Sequence, residues 1–131
     1  MPITLDEAAR ELLDGRNFAT VATLDPGGGP QTSVVWVLRD GDTVLFSSTT
    51  GRQKTRNLVR DPRVSLTVVD AANPYRTLEL RGVAEVVEDH DRAVQLAVSH
   101  KYLGEDPPPD PDGVVRVAVR VVPHKVRGFS A

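Results

Sequence analysis

Cysteine is absent from the 131 residues. That excludes disulfides, thiol nucleophiles and thiolate metal sites, and makes a reducing, cytoplasmic setting the expectation. Aromatic residues are scarce, at 5%, and Trp36 is the one tryptophan, so a core must be built from aliphatic side chains. Neither sign of charge prevails: 16 basic residues face 18 acidic ones. Bulk attraction to nucleic acid or to an anionic membrane is therefore not expected. No apolar run reaches the length of a membrane span. The opening "MPITLDEAARELL" is acidic and amphipathic, unlike a secretory signal or transit peptide. His90, His100 and His124 are too dispersed to suggest a metal site. "GGG" at 27–29 is followed by no Gly-Lys-Ser/Thr and reads as a turn. Serine, histidine and aspartate occur without a nucleophile elbow. No residue announces itself as catalytic acid, base or nucleophile, so an enzyme built on this chain has to draw its chemistry from a cofactor.

What is present fits one domain over 1–131, large enough to bury roughly two-thirds of its unfolded surface. A first helix is expected from a Thr4–Glu7 capping box and from the stripe Leu5, Ala8, Ala9, Leu12, Leu13, ending at Gly15. Strands follow at 17–24 and 30–40, joined by the hairpin signal "DPGGG". Further strands are expected at 43–48, 63–70, 75–87 and 114–122. In the last of these, Val115, Val117, Val119 and Val121 alternate with Arg116, Ala118 and Arg120. A helix near 91–103 would bury Ala93, Leu96, Ala97 and His100, with Gly104 as its stop. The acidic, proline-rich "EDPPPDPDG" after it reads as a mobile loop. Six antiparallel strands with half-buried alternation predict a mainly β (α+β) fold, and a small closed barrel with flanking short helices removes the exposed edges. From Val34 to Leu38 every residue is apolar. Both faces of that strand want burial, which suggests a covering helix or a subunit interface.

The most unusual stretch is "SSTTGRQKTRNLVRDPRVSL", from Ser47 to Leu66. Its helix gathers Arg52, Lys54, Arg56, Arg60 and then Arg63 against a single acid, Asp61. Cations in a first helical turn oppose the helix dipole. Arg52, Arg56 and Arg60 lie four apart on an outer stripe, whereas Lys54, four before Leu58, borders the buried side. The ordinary fate of a charge run is a solvated face. With hydroxyls at Ser47, Ser48, Thr49 and Thr50 just upstream, the cations and free helix N–H groups also suit a phosphate.

The N-terminal helix, "FATVATLDPGGGPQTSVVWV", "VLFSSTTGRQKTRNLVRDPRVSL" and the late "VRVVPHKVRGF" together resemble the pyridoxamine-phosphate-oxidase-like split-barrel flavoproteins. Within these they resemble the small actinobacterial branch that uses the deazaflavin coenzyme F420. The resemblance spans nearly the whole chain. It implies a six-stranded antiparallel split β-barrel and a homodimer with the cofactor between subunits. It places the ring along Gln31, Thr32 and Ser33, and the phosphate against Ser48, Thr49, Arg52 and Lys54, with Asn57 nearby. Lys125 to Phe129 would close the ring pocket of the partner chain. The implied activity is hydride transfer between reduced F420 and a small conjugated organic substrate. An FMN-dependent oxidase or reductase, or a flavin- or deazaflavin-binding protein without turnover, are the alternatives. The spare Arg56 and Arg60 favour F420, whose polyglutamate tail adds anions beyond the phosphate.

Overall fold

The computed structural model describes residues 3–130. Helix α1 spans Glu7–Asp14 and buries Ala9, Leu12 and Leu13. Its cap is Asp6 rather than Thr4: the Asp6 carboxylate accepts the Ala9 N–H at 2.8 Å. Leu5 then lies fully inside, its N–H donated to Asp42.

The strands are β1 Phe18–Leu24, β2 Pro30–Trp36, β3 Leu38–Asp40, β4 Thr43–Thr49, β5 Arg63–Asp70, β6 Asn73–Glu88 and β7 Arg116–Phe129. They form one antiparallel sheet in the order β2-β1-β5-β6-β7-β4-β3. There are seven strands, not six, because the run 30–40 breaks at Val37. The Val37 N–H is donated to the Tyr102 hydroxyl at 3.1 Å, and its carbonyl accepts Lys101 Nζ at 2.6 Å. Side chains from a distant helix thus satisfy the two backbone groups, and the chain leaves β1 to join β4. Nor is the barrel closed. No ladder joins β2 to β4, and the sheet curls with a split between them.

The long β6–β7 hairpin makes the curl. The first half of β6 pairs with β5, whereas its second half pairs only with β7. The register shifts between Arg81 and Gly82, opposite Pro123. A Cβ at Gly82 would lie 2.1 Å from the Val122 carbonyl oxygen, so only glycine fits this bend. Inward-facing Val21, Leu66, Leu80, Phe46 and Val119 fill the interior, each with no measurable exposure. Aliphatic alternation supplies the core, as the scarcity of aromatics requires.

Helix α2 spans Gln53–Arg60 and α3 spans Ala93–Leu103, the latter preceded by a single 3-10 turn at His90–Arg92. The sequence stripe for α3 is rotated from what the structure shows. Gln95, Val98 and Ser99 are buried, while Ala93, Ala97 and His100 are exposed. Two constraints set this phase. Buried Asp89 accepts the N–H groups of Val94 and Gln95, both at 3.0 Å. At the other end, the Tyr102 hydroxyl donates to the Asn17 carbonyl and Lys101 to the carbonyls of Leu13 and Val37. The proline-rich segment after Gly104 is not left free. Ser99 Oγ holds the Glu105 carbonyl, His100 meets Asp106, Arg92 holds the Pro108 carbonyl, and Arg116 grips Asp110. Among the described residues no helix is long and apolar enough to cross a membrane.

Candidate functional site

The split between β2 and β4 holds a cavity of about 430 Å³, with α2 at one end and α3 along its length. That is within the usual size of a small-molecule pocket. Its floor is apolar: Val34 and Trp36 from β2, Val98 and Leu103 from α3. The Trp36 ring stacks on Tyr102, with centroids 4.9 Å apart and planes within 5°. Its polar end is built from Ser47, Ser48, Arg52, Lys54 and Arg116.

Helix α2 is fastened to the barrel through Asn57, which is fully buried. Its amide donates to Thr23 Oγ1 at 2.9 Å and to Asp25 at 3.0 Å. Asn57 therefore holds the helix in place instead of reaching the cavity. Thr55, also buried, shares a 2.7 Å hydrogen bond with the Ser48 hydroxyl. With Thr55, Asn57 and Leu58 facing inwards, helical periodicity turns Lys54 inwards too.

Lys54 is only 8% exposed. Among the described residues no carboxylate lies within ion-pair distance of it or of Arg52. Burial, and then the nearby charge of Arg52, push the Lys54 pKa below its ordinary value. No side chain caps the first turn of α2, and the two cations of that turn line the cavity. The other cations of the stretch are engaged. Arg56 donates to the Gly51 carbonyl and to Gln53, Arg60 to the Leu24 carbonyl and Asn57, and Arg63 to Asp61. Arg56 and Arg60 are therefore not spare.

Of the residues expected to bind a cofactor, Ser48, Arg52 and Lys54 line the cavity together. Thr49 closes β4 opposite Arg116. Gln31, Thr32 and Ser33 lie just upstream of Val34 on β2 and are not part of the lining. Gln31 bonds to Thr23, Thr32 is exposed, and the buried Ser33 hydroxyl has no hydrogen-bond partner. The sequence reading missed Arg116 and the wall made by Val98, Leu103 and the proline-rich segment. The alternation of "VVRVAVRVV" does turn Arg116 away from the core, which is the signal that was available for it. Lys125 to Phe129 form the end of β7; there Phe129 is exposed and borders a second cavity, of about 470 Å³, beside α1.

The described residues contain no cluster of histidine and carboxylate side chains able to hold a metal. The donor set instead suits a phosphate-bearing organic cofactor. An unpaired ammonium on a largely buried side chain, an uncapped helix turn and an apolar floor that accepts a flat body make up that set.

Comparison with known proteins agrees. A family model described as pyridoxamine 5'-phosphate oxidase matches residues 5–129. Among solved structures, an F420 reductase is 36% identical, superposes with a TM-score of 0.84, and is covered over 98% of its chain by 94% of this one. A conserved hypothetical protein of Mycobacterium tuberculosis is 28% identical with a TM-score of 0.78, over 98% of this chain and 87% of that one. General stress protein 26 of Bacillus anthracis, 14% identical with a TM-score of 0.72 over 94% and 92% of the two chains, shares the fold. No curated protein matches the chain. With nearly the whole chain matched and the cation-ended cavity in the split of its sheet, this protein belongs to the pyridoxamine 5'-phosphate oxidase family.

Proposed function

We propose that the chain is an oxidoreductase that binds the deazaflavin coenzyme F420 in the split between β2 and β4 and reduces a small conjugated organic molecule. The observation that carries this reading is Lys54: a cation on a largely buried side chain that lines the cavity with no counter-charge among the described residues, beside Arg52 and the open turn of α2. The charge is stranded without a ligand, and a phosphate supplies what it lacks. The 36% identity to an F420 reductase supports the choice of cofactor. Bound deazaflavin supplies hydride chemistry. The chain's own residues bind, orient and shield: Lys54 and Arg52 anchor the phosphate, while Val34 and Trp36 present an apolar surface and α3 covers the site from water. No side chain is assigned as acid or base.

We place the site in a homodimer. Phe18 pairs across the sheet with both Trp36 and Val69, and Thr20 with Val34. The outer face of β2, β1 and β5 thus carries an apolar row in which Phe18 and Val34 are 55% and 65% exposed. A second copy would cover it and complete the wall along Thr32 and Val34.

One observation favours FMN instead. Among the described residues, only Arg52 and Lys54 are free of partners at the α2 end, enough for one phosphate and no more. Fluorescence titration of the apo-protein with F420 and with FMN decides. Tighter F420 binding is the expected result; equal affinity, or preference for FMN, would transfer the reading to an FMN-dependent reductase. Oxidation of bound, reduced cofactor by added conjugated acceptors, above the background rate, then separates an enzyme from a carrier.

A further inference from the structure

Arg116 is the third cation of the cavity, and it is the one already engaged. Its guanidinium holds Asp110 in a two-pronged grip, Nη2 to Oδ1 at 2.5 Å and Nε to Oδ2 at 3.1 Å, and a third nitrogen donates to Ser47 Oγ at 3.3 Å. Asp110 is not part of the barrel. It belongs to the acidic segment 105–112 that runs from α3 to β7. We propose that Arg116 is a second anion-binding group of the cavity, suited to a carboxylate of the bound ligand, and that Asp110 occupies it as a tethered stand-in until such a ligand displaces it.

The geometry identifies the ligand group. A guanidinium that receives a planar carboxylate through two parallel N–H groups is matched to that shape, and a ligand carboxylate can take the same place without rebuilding the donor. The rest of the segment is held by isolated contacts that can be broken one at a time. Ser99 and Arg92 each hold one backbone carbonyl, and the His100–Asp106 contact is exposed on both sides. The turn that leads into α3 has Asp91 and Arg92 both in the left-handed region, at φ 58° and 56°. Non-glycine residues adopt that region at a cost, and Arg92 is the residue that grips Pro108. Glu105 and Asp106, which border the same cavity, repel an incoming anion while the segment is docked. Because they share the segment with Asp110, its release removes the competitor and the repulsion together.

This rests on the cofactor reading above, and it sharpens it. A ligand with a phosphate at Lys54 and a nearby carboxylate engages both anion-binding groups of the cavity's polar end; a ligand with a phosphate alone engages one. F420, with its glutamate tail, is of the first kind, and FMN is of the second.

The test uses the full-length protein and both cofactors. Asp110→Asn should tighten F420 binding roughly tenfold by removing the charged competitor, and Arg116→Gln should weaken it by a similar factor. FMN affinity should stay within about twofold in both variants. A readout on the unaltered protein guards against a misfolded variant. F420, and not FMN, should speed hydrogen exchange at the amides of Asp106, Asp110, Asp112 and Gly113, the proline-rich segment having few others. The proposal is overturned if Asp110→Asn leaves F420 affinity unchanged or weakens it, or if F420 leaves exchange in the segment as it was. Lys54→Met separates the two levels. If this variant loses cofactor while Asp110→Asn does nothing, the carboxylate subsite is wrong and the phosphate site stands. If it binds both cofactors normally, the phosphate site itself is wrong.

Discussion

Two charged regions face each other across the cavity, and they treat charge in opposite ways. On the α3 side, charged groups are matched at short range. Arg116 has Asp110, His100 has Asp106, Arg92 has Gln95 and the Pro108 carbonyl, and Lys101 has two carbonyls at 2.6 Å. On the α2 side, Arg56, Arg60 and Arg63 are likewise matched, but Lys54 and Arg52 are not. Lys54 and Lys101 make the sharpest pair. Both lie on short helices, and burial lowers the pKa of both, that of Lys101 to about 8. Yet one ammonium is satisfied by backbone and the other by nothing among the described residues. Partnered buried charge is architecture; unpartnered buried charge is a site waiting for its ligand.

The largest expected effect breaks the binding side of this comparison. Lys54→Met keeps the buried stem and removes the charge. Losing one charge-assisted hydrogen bond costs about 1.5 to 3 kcal/mol, so affinity for F420 should fall roughly ten- to a hundred-fold. The apo-protein should melt at the same temperature or slightly higher, because a desolvated charge has been relieved. Calorimetric titration and a thermal melt read the two quantities. Normal binding with an earlier melt would make Lys54 a structural residue like its counterpart.

Lys101→Met is the mirror image. It leaves the carbonyls of Leu13 and Val37 without their donor, and Val37 is where the sheet changes course from β2 to β3. About 2 kcal/mol of stability should be lost, lowering the melting temperature by roughly 8 °C. Cofactor affinity should change by less than about threefold, since Lys101 points away from the cavity into the barrel end. If affinity collapses while stability holds, the assignment of the two lysines is reversed.

Much of this contrast was legible in the sequence, and the reasons differ by region. The β1–β2 hairpin, the strands expected at 43–48 and 63–70, the position of Lys54 at the border of the buried side and the Gly104 stop all follow from local periodicity or turn chemistry. The break at Val37 does not, because it is caused by Lys101 and Tyr102, which lie 64 and 65 residues away in sequence. The rotation of α3 has the same origin. Its local pattern offers Ala93 and Ala97 as buried residues, but a capping carboxylate and two long-range pins decide the phase instead. The proline-rich segment reads as free because composition cannot show that Arg116 is opposite Asp110. Arg56 and Arg60 read as spare because each is engaged by a backbone carbonyl, which no sequence displays, together with a side-chain amide oxygen one turn back.

The apolar run Val34 to Leu38 divides in a way that sharpens the dimer proposal. Val35 and Val37 are buried within the chain itself, so a charge at Val35 would report on folding, not on assembly. Val34 is the informative position, being 65% exposed on the outer face. Val34→Asp should raise the dimer dissociation constant by roughly tenfold or more, with the monomer's melting temperature little changed. Analytical ultracentrifugation across a concentration series measures this. An unaltered protein that sediments as a monomer at micromolar concentration would remove the second copy from the site.

The smallest effect concerns protons. In the free protein, burial and Arg52 hold the Lys54 pKa below its ordinary 10.5. A phosphate bound beside the ammonium favours the charged form and raises the pKa again. Linkage then fixes the sign. Affinity is greatest below the free-protein pKa, falls as pH rises from that value towards the pKa of the complex, and levels off above it. Over the same window, binding must draw a fraction of a proton from solution. Well below the free-protein pKa, where Lys54 is already charged, it should draw almost none. Titrations in two buffers of different ionisation enthalpy, repeated at a series of pH values from neutral up to the ordinary lysine pKa, reveal the uptake as a buffer-dependent heat. Lys101 serves as the internal control. Its partners are the same carbonyls in both states, so Lys101→Met should leave the uptake intact and Lys54→Met should abolish it. Uptake that survives in Lys54→Met would mean that another group meets the phosphate, and that the stranded charge on α2 is not what the ligand comes to neutralise.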